Sequence, residues 1–331
     1  MSLSLTTTVN VPAGHRKITY VDTVFMLGSC FTEHISRKLN RYKYRVMTNP
    51  NGILYNPVSM AEAMERIANQ QLYVEEELVQ HDGRWHSMDH HGSFSRPDKE
   101  IMLAAINDKI IAAHDFLKNG GFAFISPGTS VVYRYKATGK ISGNCHKIPA
   151  REFDAFRLTL GECVDACHRI VHALRSLNPA IEIIWTVSPV RHIKDGLAEN
   201  QKSKATLLLA IDEVMRHQER MFYFPAYEIM IDELRDYRYY DRDHVHPTEL
   251  AIDIIWERFA GAWLEPHECE HHTAIEKIKR AMEHRFLHDN REAIRHFARG
   301  QLAQIDKLAG LMPESEWREE RQYFFQLTEM D

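Results

Sequence analysis

Cys30, preceded by Gly28 and Ser29, is the first residue whose type and position allow chemistry. It lies in the stretch TVFMLGSCFTEHISRKL, residues 23–39. The uncharged run 23–27 reads as a buried strand. Gly28 permits a sharp turn, and Phe31, Ile35 and Leu39 recur at the spacing of one helix face. Ser29 and Cys30 therefore fall where a strand ends and a helix begins. Backbone N–H groups converge there, and the helix dipole favours negative charge. A hydroxyl or thiol at that point suits nucleophilic attack, with a lowered thiol pKa expected from the helix start and from His246. The plainer reading makes Ser29 an N-cap and Cys30 a small buried apolar residue.

Acyl transfer needs a nucleophile, an imidazole base, a carboxylate to orient the imidazole, and donors for the oxyanion. Asp243 and His246, three residues apart in DHVHP before a helical run, supply the carboxylate and the base. The Gly52 N–H and the Asn144 amide are the candidate donors. Residues expected to contact substrate are His90, His91, His146, Lys147, Ser188, Arg191, His192 and Lys204. The alternative for each is a solvated polar loop residue. Arg191 and Lys147 together suit an anionic substrate group.

The elements that must position these residues follow from periodicity and turn signals. Residues 23–69 read strand, helix, strand, helix, with a lead-in whose residues 18–21 suggest an edge strand. A polar, aromatic-bearing excursion over 80–98 precedes a helix capped by Asp98 and ending near Lys118. A strand at 122–126 is followed by a hairpin pairing 131–135 with 140–142, then a helix over 151–177. Strands at 181–187 and 221–224 flank a helix at 199–217, and a last core helix runs to Leu264. Cys163 and Cys167 fall on the inward face of their helix. The pattern predicts an α/β fold with a five-stranded parallel sheet, and ligands gather at the carboxyl ends of such strands. Residues 265–331 read as a separate helical extension to a domain over 1–264: a cap, a homo-oligomer element or a partner surface.

The chain has 331 residues, with 41 basic against 46 acidic side chains and a net charge of −5, which gives no case for a nucleic-acid partner. Five cysteines, an odd set in a long chain, suggest free thiols in a reducing compartment. The first residues lack a basic segment followed by an apolar one, and no apolar run reaches the ~20 residues that span a bilayer. A soluble, cytoplasmic protein is expected. The 20 histidines cluster at 90–91, 146, 244–246 and 271–272.

The strings GSCFTEHI, NPNGILYNP, SMDHHGSFS, GNCHKIP, TVSPVRHIKDG, NQKSKA, YFPAYEI, DELRDYRYY and DHVHP together resemble the bacterial GSCFA family, densely over residues 24–264. That family is similar to the SGNH (GDSL-type) hydrolases, which implies a three-layer flavodoxin-like fold acting on esters, often of lipids or carbohydrates. Matched to the SGNH pattern, Gly28-Ser29-Cys30 puts Cys30 at the nucleophile's place and Ser29 where an aspartate would stand. Gly52 suits the second block and Asp243-x-x-His246 the last. The third block departs, with Gly128-Thr129-Ser130 in place of Gly-x-Asn-Asp. Asn144, arriving after the hairpin, is the candidate replacement.

Two function classes follow. The first is an acyl-ester hydrolase or acyltransferase on a small acylated substrate, using Cys30 or Ser29 with His246 and Asp243 and no cofactor. The second is a catalytically inactive binding or scaffold protein on the same fold. A metal enzyme using His90, His91, His146, His244 or His246 ranks third, because adjacent histidines rarely ligate one metal.

Overall fold

The computed structural model describes residues 6–286, 290–312 and 317–329. Its centre is a parallel sheet of five strands. They are β1 (Thr23–Gly28), β2 (Arg45–Thr48), β5 (Phe122–Ser126), β8 (Glu182–Trp185) and β9 (Met221–Tyr223), in the spatial order β2-β1-β5-β8-β9. The sequence places all five within a few residues. The apolar runs of β1 and β5 reflect burial on both faces, with side chains alternating between two cores, while the edge strands β2 and β9 are only partly buried. Val24, Met26, Phe124 and Ile184 face one core with α1 (Cys30–Arg41) and α7 (Glu249–Trp263). Phe25, Leu27, Ile125 and Trp185 face the other, against α2 (Pro57–Ala68), α4 (Leu160–Leu177) and α5 (Leu197–Met215).

Two small antiparallel pairs lie outside this sheet, and both correct the sequence reading. The excursion over 80–98 holds a hairpin of β3 (Leu78–His81) and β4 (Arg84–Ser87), turning at Asp82 and Gly83. Its polar composition hid it: Leu78 and Trp85 pack toward α3 (Lys99–Lys118), while the opposite face buries His86 beside His146 instead of a run of apolar residues. The strand β6 (Val131–Tyr135) meets 140–142 as expected, through an antiparallel Arg134–Ile141 bridge with the Tyr135 N–H donating to Lys140 O and the Ser142 N–H to Tyr133 O (2.8 Å each), but its longer pairing, on the other edge, is with β7 (Phe153–Arg157). The helix expected from residue 151 therefore starts at Leu160. Thr159 and Glu162 form a capping box there, satisfying donors that a continuing helix would have left no reason to cap. Residues 18–21 form no strand, only a bridge from Ile18 to Leu264.

The remaining helices are the short α6 (Ala226–Glu228), then α8 (Pro266–Cys269), α9 (His272–Met282), α10 (Arg291–Ala309) and α11 (Arg318–Thr328). Ile275, Ile278, Ala298, Ile305, Trp317 and Phe324 join the same core as α1 and α7. No helix among the described residues is long and apolar enough to cross a membrane.

Candidate active site at the carboxyl edge of the sheet

Parallel strands end on one edge, so the loops after β1, β2, β5 and β8 meet there. The turn after β1 is fixed on two sides. The Gly28 N–H donates to Asn49 Oδ1 (2.8 Å) after β2, and the Ser29 N–H donates to Ser126 O (3.1 Å) at the end of β5. Gly28 has φ 155°, and a Cβ there would lie 2.4 Å from Ser126 O. Only glycine fits this close approach.

Ser29 holds the N-cap position of α1, but its side chain caps nothing. Its Oγ is buried with no partner among the described residues. Cys30, the first helical residue, is half-buried and free. Its thiol departs from the expectation of a lowered pKa. Burial pushes the pKa up and Glu33 adds to this, while the Phe31 and Cys30 amides and Lys204 act in the opposite direction. His246 is not among the groups that move it.

Asp243 and His246 form the expected pair. His246 Nδ1 lies 2.5 Å from Asp243 Oδ2, while Asp243 Oδ1 accepts the N–H groups of Val245 and His246 at 3.0 Å each. These donors hold the carboxyl far below the usual carboxylate range. Because Asp243 Oδ2 can only accept, the proton of a neutral His246 ring sits on Nδ1 and the lone pair on Nε2. The charge of His246 is felt by His34, one turn after Cys30, and by His192. No hydrogen bond joins His246 to Cys30 among the described residues.

Several neighbours escaped the sequence reading. The carbonyl of Tyr55 accepts the amides of Gly128 (2.7 Å) and Thr129 (3.0 Å), and its ring meets His192 edge-on at 5.3 Å. A Cβ on Gly128 would lie 3.5 Å from Ser29 Cβ and 3.7 Å from His192 Nε2. Burial holds the His192 imidazole down at about 4, so it is neutral near pH 7. Lys204 was expected to meet substrate but is fully buried. Its Nζ donates to Ser188 O (2.6 Å) and lies 5.6 Å from the Tyr227 ring centroid, and no carboxylate pairs with it among the described residues. Burial first, and Arg191 second, lower its pKa to about 7, and Cys30 acts in the opposite direction.

Other candidates separate. The Gly52 N–H is not available as an oxyanion donor, because it closes a turn onto Asn49 O at 2.7 Å. Asn144 does not stand at the end of β5, where Thr129 and Ser130 are bound to Ser203 instead. Its Oδ1 accepts the His146 N–H and it lines two side cavities. His90, expected to contact substrate, is buried, its Nδ1 2.8 Å from Ser87 Oγ and its Nε2 3.2 Å from Asn51 Nδ2. Arg191 is held by Asn200 Oδ1 and Leu197 O at the start of α5. Ser188 Oγ is buried and unpartnered, as are Thr32 Oγ1, Ser126 Oγ and Thr186 Oγ1. His91, His146 and Lys147 lie together, around a cavity shared with Asn144. No three His, Cys, Asp or Glu side chains among the described residues are placed to hold a metal ion.

A crystal structure of a carbohydrate esterase family 3 from Talaromyces cellulolyticus is similar in 78% of this chain and 99% of that one, at 9% identity and TM-score 0.34, a likeness too distant to carry an argument. No curated protein matches. The profile of the GSCFA domain protein, C-terminal domain, matches residues 275–329. The GSCFA family profile matches residues 23–259, from the first residue of β1 through the Asp243–His246 pair and into α7. That span is more than half of the chain and holds every residue of the sheet edge described above, and the protein belongs to the GSCFA family.

Proposed function

We propose that the protein is an acyl-ester hydrolase or acyltransferase of SGNH type, with Cys30 as nucleophile, His246 as base and Asp243 as the carboxylate that orients it. The observation that carries this reading is the pairing of two features at the sheet edge. A half-buried thiol opens α1 there, and an imidazole with a free Nε2 is held by a carboxylate 2.5 Å from its Nδ1. Ser29 is the alternative nucleophile, but its hydroxyl is buried. The strand order, Gly28 at the end of β1, and Asp243-x-x-His246 before α7 support the SGNH assignment.

In this mechanism His246 Nε2 takes the Cys30 thiol proton, and Sγ attacks the ester carbonyl carbon. The carbonyl π electrons move to oxygen, where the amides of Cys30 and Phe31 at the helix start donate to the oxyanion. Collapse breaks the bond to the alcohol oxygen, which receives the proton from His246. A thioester on Cys30 remains. Water or an acceptor hydroxyl then releases the acyl group, with His246 again taking the proton. The cation of Lys204 favours the thiolate. The substrate is an acylated small molecule, with acylated carbohydrates and lipids the leading classes.

One observation favours the second reading, a binding protein on this fold. Burial keeps the thiol protonated, and no hydrogen bond links it to His246. Intact-protein mass after incubation with p-nitrophenyl acetate separates the two. An acetyl adduct present in wild type and Ser29→Ala but absent in Cys30→Ala is expected. Loss only in Ser29→Ala moves the nucleophile by one residue. No adduct and no turnover, with a thioester tried as well, overturns the enzyme reading.

A further inference from the structure

Asn144 lines two cavities. The smaller, about 230 Å³, includes Tyr55, Tyr133, Cys145 and His192, and through Tyr55 and His192 it adjoins the Ser29 turn. The larger, about 600 Å³, lies among the β3–β4 hairpin, the loop after it and the 143–147 turn. Arg84, Arg96 and Lys147 line the larger one, and none of the three forms an ion pair among the described residues. Arg84 is aimed by Ser95 O (3.0 Å), and Arg96 by Ser93 O (2.7 Å) and Ser95 O (3.0 Å). Each guanidinium keeps further N–H groups unused.

Neutral donors add to these cations. Asn144 spends its oxygen on the His146 N–H, which leaves its NH₂. His91 Nδ1 accepts the Ser93 N–H (3.3 Å), so the proton of the neutral ring is on Nε2. The floor includes His146, held by Ser87 O (2.7 Å), and burial lowers its pKa to about 4. His146 and Lys147 are consecutive non-glycine residues with φ 48° and 61°. Such strain persists where the surroundings enforce it, often at binding sites. The one carboxylate on the wall is Asp82, at the hairpin tip. A cluster of unpaired cations in a chain of net charge −5 is a local inversion of sign.

Two guanidiniums, an ammonium and two neutral donors exceed what the two oxygens of one carboxylate accept, and they suit the oxygens of a phosphate. We propose that this cavity binds a phosphate or diphosphate group of the substrate, and that the acyl end reaches Cys30 through the smaller cavity. The second half rests on the acyl-transfer reading; the first stands without it. The loop after β2 joins the two regions. Gly52 packs against His91, where a Cβ would lie 2.3 Å from His91 Cβ, and Asn51 O accepts the His91 N–H (2.8 Å).

The test is calorimetric titration of pyrophosphate into the full chain at low ionic strength. Wild type is expected to bind at one site, and Arg84→Gln, Arg96→Gln and Lys147→Gln are each expected to weaken binding about tenfold. Arg84→Lys should retain more affinity than Arg84→Gln. Lys147 is exposed, so Lys147→Gln keeps the test valid if the arginine variants fold poorly. Absence of binding by wild type, or equal affinity in wild type and Lys147→Gln, overturns the proposal. Sedimentation with phosphatidic-acid vesicles that pyrophosphate reverses identifies the phosphate as a lipid headgroup; no sedimentation identifies a soluble phosphoester. Pyrophosphate binding with no acyl adduct on the chain and no turnover refutes the enzyme reading alone, and an adduct without pyrophosphate binding refutes this proposal alone.

Discussion

At the scale of single residues, three groups set the chemistry of the sheet edge. Asp243 is exposed, yet two backbone N–H groups and the imidazole hold it ionised. Its folded-state pKa is depressed, so its contribution is present above the usual carboxylate range and is lost only as pH falls through the folded value. Asp243→Asn should therefore lower the melting temperature at pH 7, though only modestly because the pair is exposed to solvent, and slow acylation of Cys30 by about 10³-fold or more, read by stopped-flow burst kinetics. Lys204 carries the opposite sign. With a folded pKa of about 7 against an ordinary lysine value, the unfolded chain binds the extra proton between about pH 7 and 10. Stability relative to Lys204→Met should rise through that window by up to about 1.4 kcal/mol per pH unit, and flatten below and above it. Urea unfolding at pH 6, 8 and 9.5 checks this.

At the scale of elements, the site depends on how closely β1, β5 and the start of α1 approach. The Cβ of Gly28→Ala would meet Ser126 O and Thr32 Oγ1 at 2.4 and 2.7 Å, and the contacted Ser126 oxygen is backbone within the sheet. A loss of about 3 kcal/mol is expected by urea denaturation. Gly161→Ala, in the first turn of α4 with open space around the new Cβ, should gain about 0.5 kcal/mol in the same assay. The contrast isolates the close approach from any general effect of removing glycine. The strands and major helices were legible because burial on two faces gives unbroken apolar runs and burial on one gives a 3.6-residue stripe. The β3–β4 and β6–β7 pairs were not, because their partners are set by chain reversal over polar segments with no such pattern.

At the scale of the molecule, the helical tail is tied to the sheet domain by apolar packing and a buried ion cluster. Glu320 is fully buried and takes hydrogen bonds from Lys43 and Lys279, each at 2.5 Å. Burial works to raise its pKa, but the two ammonium groups prevail and hold it down. Lys43 immediately follows the C-cap of α1 and also packs over Trp317. Glu320→Gln removes the bridging charge and leaves the two ammonium groups facing each other, so a loss of about 3 kcal/mol is expected in the urea midpoint. Loss of far-UV helical signal ahead of the main transition would locate the effect in the tail.

The sequence alone determined the parallel α/β sheet, the turn that presents Ser29 and Cys30, and the spacing of Asp243 and His246. Each is local, written in periodicity, in a glycine or in a three-residue interval. The tertiary structure decided which groups share an environment. Burial raised the Cys30 thiol that a helix start alone would lower, and sealed Lys204 beneath the site. It bound the Gly52 amide into a turn and brought Arg84 of the β3–β4 hairpin and Arg96 of the loop after it to Lys147. Desolvation and hydrogen-bond competition depend on what surrounds a group in space, and residues far apart in the chain supply those surroundings.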